Sequence, residues 1–115
     1  MSAVSLERLA RETEAHSDET CPVARTAAVI GSKWTLLVIR DLASGTKRFN
    51  ELEKSLAGIS AKTLSERLRG LEQGGILSRQ AFAEIPPRVE YSLTEKGRAL
   101  LSLIENMRQY GLRWL

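Results

Sequence analysis

The residues best suited to covalent chemistry are Cys21 and His16, the only cysteine and the only histidine of the chain. Cys21 stands directly before Pro22, which opens an alanine-rich apolar run. A thiol in that position can be a buried filler, a nucleophile, a metal ligand or a sensor. A Cys-His pair is a known nucleophile arrangement, but no third residue is evident to orient it and no glycine-rich phosphate loop occurs. One cysteine and one histidine cannot close a metal site. We therefore expect no catalytic residue, no metal and no cofactor, and hence no enzyme.

A second group of reactive side chains is polar and basic and falls in the stretch "SAKTLSERLRGLEQGG". Leu64, Leu68 and Leu71 recur at helical spacing and predict a helix with one narrow buried stripe. Ser60 is a plausible N-cap for that helix. The outward side chains expected to bind DNA are Ser60, Lys62, Thr63, Ser65, Glu66, Arg67 and Arg69. Such a face suits a DNA major groove, where Lys and Arg reach guanine edges and Ser and Thr reach phosphates. The alternative is an ordinary solvated face.

The elements before that helix predict a helix-turn-helix. "KRFNELEKSL" carries Phe49, Leu52 and Leu56 at helical spacing, and the connection "AGIS" contains Gly58. Two helices joined by a short glycine-containing turn match this motif. The spacing alone is weak evidence, because many helical hairpins share it.

The following segment changes to the alternation of a β-hairpin. "ILSRQAF" and "RVEYSL" alternate apolar and polar residues, and the two prolines of "AEIPP" mark the hairpin tip. Arg79 and Arg88 are predicted to flank the tip, where they would meet a phosphate backbone. Lys62 and Arg67 are the predicted base readers on the preceding helix.

The last segment predicts a terminal helix over 94–115, with Thr94 as its N-cap. Its apolar surface exceeds what a terminal helix of a small domain needs, so we expect part of it to meet a second chain. The arm 1–20 adds a short amphipathic stretch. The predicted dimer interface consists of Leu6, Leu9, Leu103, Met107, Tyr110 and Trp114.

Bulk composition sets the class of protein. The chain has 115 residues, 43% of them hydrophobic and 27% charged, enough for one modest domain. Residues 1–20 carry two basic and five acidic side chains, a net charge of −3, and residues 21–115 carry 15 against nine, a net charge of +6. A basic body suggests a polyanionic partner, although an ordinary solvated surface explains the charge equally well. No apolar run approaches about 20 residues, and the first residues lack a signal-peptide order. We therefore expect a cytoplasmic protein with no membrane partner.

The blocks "IGSKWTLLVIRDL", "GISAKTLSERLRGLE" and "PPRVEYSLTEKG" resemble the HxlR-type regulators, relatives of the MarR group. The resemblance runs from Cys21 to about Leu103. It implies a mainly α winged helix-turn-helix with a small β-hairpin wing, and a homodimeric transcription regulator that binds double-stranded DNA. The recognition helix would map onto Ser60–Gly74 and the wing onto Ile76–Leu93. The dimer would form through the N-terminal and C-terminal helices.

The resemblance also defines one domain over 1–115, with an arm (1–20), a DNA-binding core (21–93) and a terminal helix (94–115). Some members sense quinones, aldehydes or disulfide stress through a cysteine in a "CP" context, which is the position of Cys21. A helix N-terminus favours a thiolate, but Asp18 and Glu19 oppose that effect. Cys21 is thus either a sensor of an oxidant or small molecule, or a structural cap or packing residue. A winged helix used only for protein or RNA contacts is the alternative function.

Overall fold

The computed structural model describes residues 20–115. Its contacts divide the chain into two units after Gly31. The arm residues Leu6 and Leu9 lie outside the described residues. Within the described part, every helix is too short or too polar to cross a membrane.

The described part of the first unit contains α1 (Pro22–Ile30). Pro22 occupies the first turn, where a missing N–H costs no hydrogen bond. Cys21 stands at the N-cap position with extended backbone angles, and Gly31 follows the last turn, as the sequence predicts.

The second unit holds the predicted helix-turn-helix and hairpin. Its elements are α2 (Lys33–Leu42), β1 (Lys47–Arg48), α3 (Phe49–Ser55), α4 (Ala61–Gln73), β2 (Leu77–Phe82), β3 (Arg88–Leu93), α5 (Glu95–Arg98) and α6 (Leu101–Trp114). The mainly α winged-helix architecture is confirmed.

The core of this unit lies between the helices and one face of the sheet. Its largest fully buried side chains are Val38, Ile39, Leu52, Leu64, Leu68 and Leu77. They come from α2, α3, α4 and β2, so each of these elements supplies at least one anchor. Burial of each such side chain is worth roughly 1.5–3 kcal/mol. The core therefore fixes α4 against the hairpin, and this contact positions the candidate site.

The sheet has three antiparallel strands in the order β1-β3-β2, where the sequence pattern predicts a two-stranded hairpin. Lys47 and Arg48, expected at the start of a helix, instead pair with Tyr91 and Glu90 of β3. Helical periodicity begins only at Phe49, and a two-residue strand is too short to show the alternation that identifies strands.

The predicted terminal helix is divided into α5 and α6. Thr94 caps α5 as expected, because its hydroxyl accepts a hydrogen bond from the Gly97 N–H at 3.1 Å. The Leu100 N–H then bonds the carbonyl three residues back, that of Gly97. This tighter turn interrupts the α-helical ladder.

Candidate nucleic-acid interface

The N-terminus of α4 is fixed by its cap and by the turn that precedes it. The Ser60 hydroxyl oxygen accepts a hydrogen bond from the Thr63 N–H at 3.0 Å. Gly58, in the turn, has a φ of +94°, a conformation that favours glycine. Leu56 and Ile59 are buried on either side of it. The turn therefore sets the angle at which α4 leaves α3.

The surface of α4 divides as the sequence predicts. Leu64, Leu68 and Leu71 are the buried residues of the helix. Of the predicted DNA-binding side chains, Thr63 and Ser65 are half-buried, and the exposed ones are Ser60, Lys62, Glu66, Arg67 and Arg69. Lys62, Glu66 and Arg67 form no ion pair with any residue in the described range 20–115. Their charged ends are therefore available to a ligand.

Arg79 and Arg88 do not flank the hairpin tip together, which corrects the sequence-based placement. Arg88 belongs to the last pair of the ladder, opposite Phe82, whereas Arg79 pairs with Tyr91 three pairs further back. Directly opposite residues share one face of a sheet, and successive residues alternate between faces. Tyr91 is buried toward the helices, so Arg79 lies on the face toward α4 and Arg88 on the opposite face.

Arg88 is held by partners within the wing. Its guanidinium lies 3.2 Å from a Glu84 carboxylate oxygen and 3.5 Å from one of Glu90, and it stacks over the Phe82 ring at 4.0 Å. Only 26% of the side chain is exposed. A phosphate contact would require this guanidinium to exchange a carboxylate for the phosphate, and such a contact stays a prediction.

Arg79 and Arg69 instead line one cleft between α4 and the sheet. The cleft has a volume of about 240 Å³. The residues around it are Phe49, Ser65, Leu68, Arg69, Glu72, Arg79 and Tyr91. It thus combines apolar side chains with charged and hydroxyl groups.

Comparison with known proteins identifies the family. The HxlR-like helix-turn-helix profile matches residues 29–115. The chain belongs to this family. A MarR-family transcriptional regulator from Porphyromonas gingivalis W83 is similar in structure, with a TM-score of 0.83 and 38% identity, over 87% of this chain and 98% of that one.

Two further relatives support the same assignment. A transcriptional regulator of the helix-turn-helix type from Synechocystis sp. is 44% identical over 83% of this chain and 70% of its own length. The redox regulator HypR, in its oxidised form, is 41% identical with a TM-score of 0.77, over 81% of this chain and 96% of that one. The HxlR-like chain described here is therefore a transcriptional regulator and not an enzyme.

The terminal helix of this HxlR-like protein carries an unusual amount of exposed apolar surface. Among the residues of α6, all of which the structure describes, none is buried. Leu103 is half-buried, and Met107, Tyr110 and Trp114 are 46%, 60% and 63% exposed. The four residues follow one stripe at helical spacing. Four of the six predicted interface residues thus share one largely uncovered face.

The polar side of α6 is ordered by its own charges. Arg108 donates two hydrogen bonds of 2.8 Å to the Glu105 carboxylate, and Gln109 donates one of 2.9 Å. These hydrogen bonds lower the pKa of Glu105 to about 2, and those from Arg108 contribute most. The carboxylate therefore stays ionised into the acidic range, where an ordinary glutamate becomes protonated.

Cys21 is a free, buried thiol, 4% exposed. It stands at the N-cap position of α1, but its side chain makes no capping hydrogen bond. Of the two structural roles considered from the sequence, the structure favours packing over capping.

The side chains around the two arginines could not be recognised from the sequence. Tyr91, Phe49 and Glu72 line the cleft, although Phe49 and Tyr91 look like ordinary core residues in the sequence. One signal was available, since the alternation of β2 puts Arg79 on the same side as the apolar Leu77.

Proposed function

We propose that this HxlR-like regulator is a homodimer that binds operator DNA, with α4 in the major groove and the hairpin against the neighbouring backbone. The observation that carries the proposal is the exposed side of α4, whose charged side chains have no ion-pair partner among the described residues. A structural role would need neither this free charge nor the arginine-lined cleft beside it. The protein would act in the cytoplasm, where bacterial and archaeal DNA lies.

Lys62 and Arg67 would contact the base edges. Both are long, cationic and exposed on α4, and both residue types pair with the O6 and N7 acceptors of guanine. Glu66 lies on the same helix and either accepts from a cytosine amine or repels phosphates. Each good base contact contributes about 1–3 kcal/mol of discrimination.

The dimer would use the exposed stripe of Leu103, Met107, Tyr110 and Trp114 on α6. Large exposed apolar patches mark interaction surfaces, and a twofold dimer covers such a patch with its own copy. Two recognition helices would then read half-sites about 34–36 Å apart, one turn of the duplex.

A thiol response is the finer part of the proposal. The similarity to HypR, a redox regulator, supports it. Because Cys21 is buried, an oxidant would have to reach it through local opening at the start of α1. With no second cysteine in the chain, oxidation would join two subunits or trap a small thiol. Diamide should release DNA from the wild type and leave Cys21→Ser bound, and equal affinities before and after treatment would leave Cys21 a packing role.

The test of the main proposal is binding to the DNA that flanks the protein's own coding region. Fluorescence anisotropy should give specific binding that Lys62→Ala and Arg67→Ala weaken at particular base pairs, with the variants still folded. A matched RNA duplex and an unrelated DNA serve as controls. Equal binding to all three nucleic acids, or to none, would contradict operator recognition and favour a winged helix that contacts protein or RNA.

A further inference from the structure

The cleft between α4 and the sheet combines chemistry from two elements. Ser65, Leu68, Arg69 and Glu72 line it from α4, where their spacing puts them on one stripe of the helix. Arg79 and Tyr91 line it from a directly opposed pair of strand residues. The cleft therefore exists only when the helix and the hairpin are packed together.

The two arginines of the cleft differ from three other arginines of the same unit. Arg40, Arg88 and Arg108 each have a carboxylate partner within 4 Å. Arg69 and Arg79 form no hydrogen bond or ion pair with any described residue. Both are exposed, although Glu72 lines the same cleft. Their guanidinium donors are thus free for an external anion.

We propose that this cleft is a clamp for a single phosphate of the DNA backbone, held by Arg69 from the recognition helix and by Arg79 from the wing. The inference rests on the proposed function and names a contact that would tie both elements to one point on the duplex. Guanidinium groups bind phosphate through paired, charge-assisted hydrogen bonds. The Ser65 hydroxyl is a further donor on the same stripe.

The size and the lining of the cleft favour a small anion. Its volume of about 240 Å³ lies below the roughly 300–1,000 Å³ of pockets that enclose drug-sized ligands. Its lining supplies donors from Arg69, Arg79 and Ser65 beside the apolar side chains of Phe49 and Leu68. The anion would therefore bind between the two guanidinium groups, as a backbone phosphate does.

Glu72 should affect DNA binding in the opposite direction to the two arginines. Its carboxylate lines the same cleft and would repel a phosphate. Removing this charge should tighten DNA binding for every sequence, whereas removing either arginine should weaken it. A cleft with no role in DNA binding would show neither effect.

The closing experiment measures the salt dependence of binding to one operator duplex by fluorescence anisotropy. Each neutralised phosphate contributes about 0.9 to the slope of log K against log salt. The clamp holds its phosphate only when both guanidinium groups contact it, so Arg79→Ala should release the phosphate and lower the slope by about 1.8 in a dimer with one clamp per protomer. The double variant Arg69→Ala/Arg79→Ala should then lower the slope no further. Glu72→Gln should raise affinity. Arg108→Ala is the matched control and should leave the slope unchanged, since it removes the same charge from α6, where Arg108 is paired with Glu105.

A scan of duplexes with one methylphosphonate per half-site then locates the phosphate. One position should weaken the wild type and leave Arg79→Ala unaffected. If the double variant lowered the slope by about 3.6, as two independent phosphate contacts per protomer would, the shared clamp would be overturned. A slope unchanged by Arg79→Ala would overturn it too. If inorganic phosphate bound in the cleft and Arg79→Ala left DNA binding unchanged, the cleft would be a site for a free anion. That result would also overturn the proposal. A wild type that binds no duplex at low salt would instead overturn the proposed function itself.

Discussion

Helices α4 and α6 are nearly equal in length, 13 and 14 residues, yet they differ in what covers their apolar side. The leucine stripe of α4 is buried within one chain. The stripe of α6 that contains Met107, Tyr110 and Trp114 is largely exposed. A helix whose apolar side is covered can offer its polar side to a ligand. A helix whose apolar side is uncovered is suited to a protein partner.

The largest expected effect is on the free energy of unfolding, which substitutions in the two stripes should change to different extents. Leu68→Ala should lower the free energy of unfolding by about 2–5 kcal/mol, because it leaves a cavity under α4. Urea unfolding should show the same loss at every protein concentration. The matched change Met107→Ala should cost less, and its cost should disappear on dilution. A concentration-independent loss for Met107→Ala as large as that for Leu68→Ala would break the comparison.

The second-largest effect on stability is expected at two glycines, and it sharpens the comparison. A Cβ at Gly97 would lie 2.0 Å from the Ile76 carbonyl oxygen, whereas one at Gly111 of α6 would meet no atom within 4 Å. Gly97→Ala should destabilise the protein by about 1–3 kcal/mol or more through overpacking. Gly111→Ala should stabilise the isolated chain by up to about 1 kcal/mol. Thermal unfolding of both variants checks this, and a similar loss in both would show that α6 is already closely packed.

The third prediction concerns Tyr110, at the centre of the exposed stripe. Buried aromatic residues at interfaces contribute about 2 kcal/mol or more, so Tyr110→Ala should raise the dimer dissociation constant about 30-fold. Sedimentation equilibrium measures this constant. The control is Gln109→Ala on the polar side of α6, which should leave it unchanged. Equal effects of both changes would place the interface elsewhere.

The smallest effect is expected at the cap of α4. Ser60→Ala removes the acceptor for the Thr63 N–H and should cost about 1 kcal/mol. Ser60→Asp retains an acceptor and should restore the stability. If Ser60→Ala left the unfolding free energy unchanged, the first turn of α4 would be held by other contacts.

Periodicity and end signals predicted most of the fold. The stripe of Leu64, Leu68 and Leu71 and the caps Ser60 and Thr94 are all as the sequence indicated. These features depend on residues close together in the chain, and local chemistry determines them. The third strand was missed because two residues are too few to show alternation.

The parts of the candidate site that were missed depend on how the strands of the hairpin pair and how the sheet packs on α4. Arg88 is paired with Glu84 and Glu90 and stacked on Phe82, across the hairpin tip. Arg79 lines the same cleft as Arg69 only because β2 packs beside α4. Charge and exposure select arginines as candidates, but the strand register decides which of them is free.

The central claim is that two copies of this chain, joined through α6, present two α4 helices to one duplex. Sedimentation velocity of the protein with a duplex carrying two half-sites tests it most directly. The predicted result is a complex with two chains of 12.8 kDa each per duplex, formed from a dimer already present at micromolar concentration without DNA. A stable monomer that binds the duplex as one chain, or does not bind it, would contradict the account.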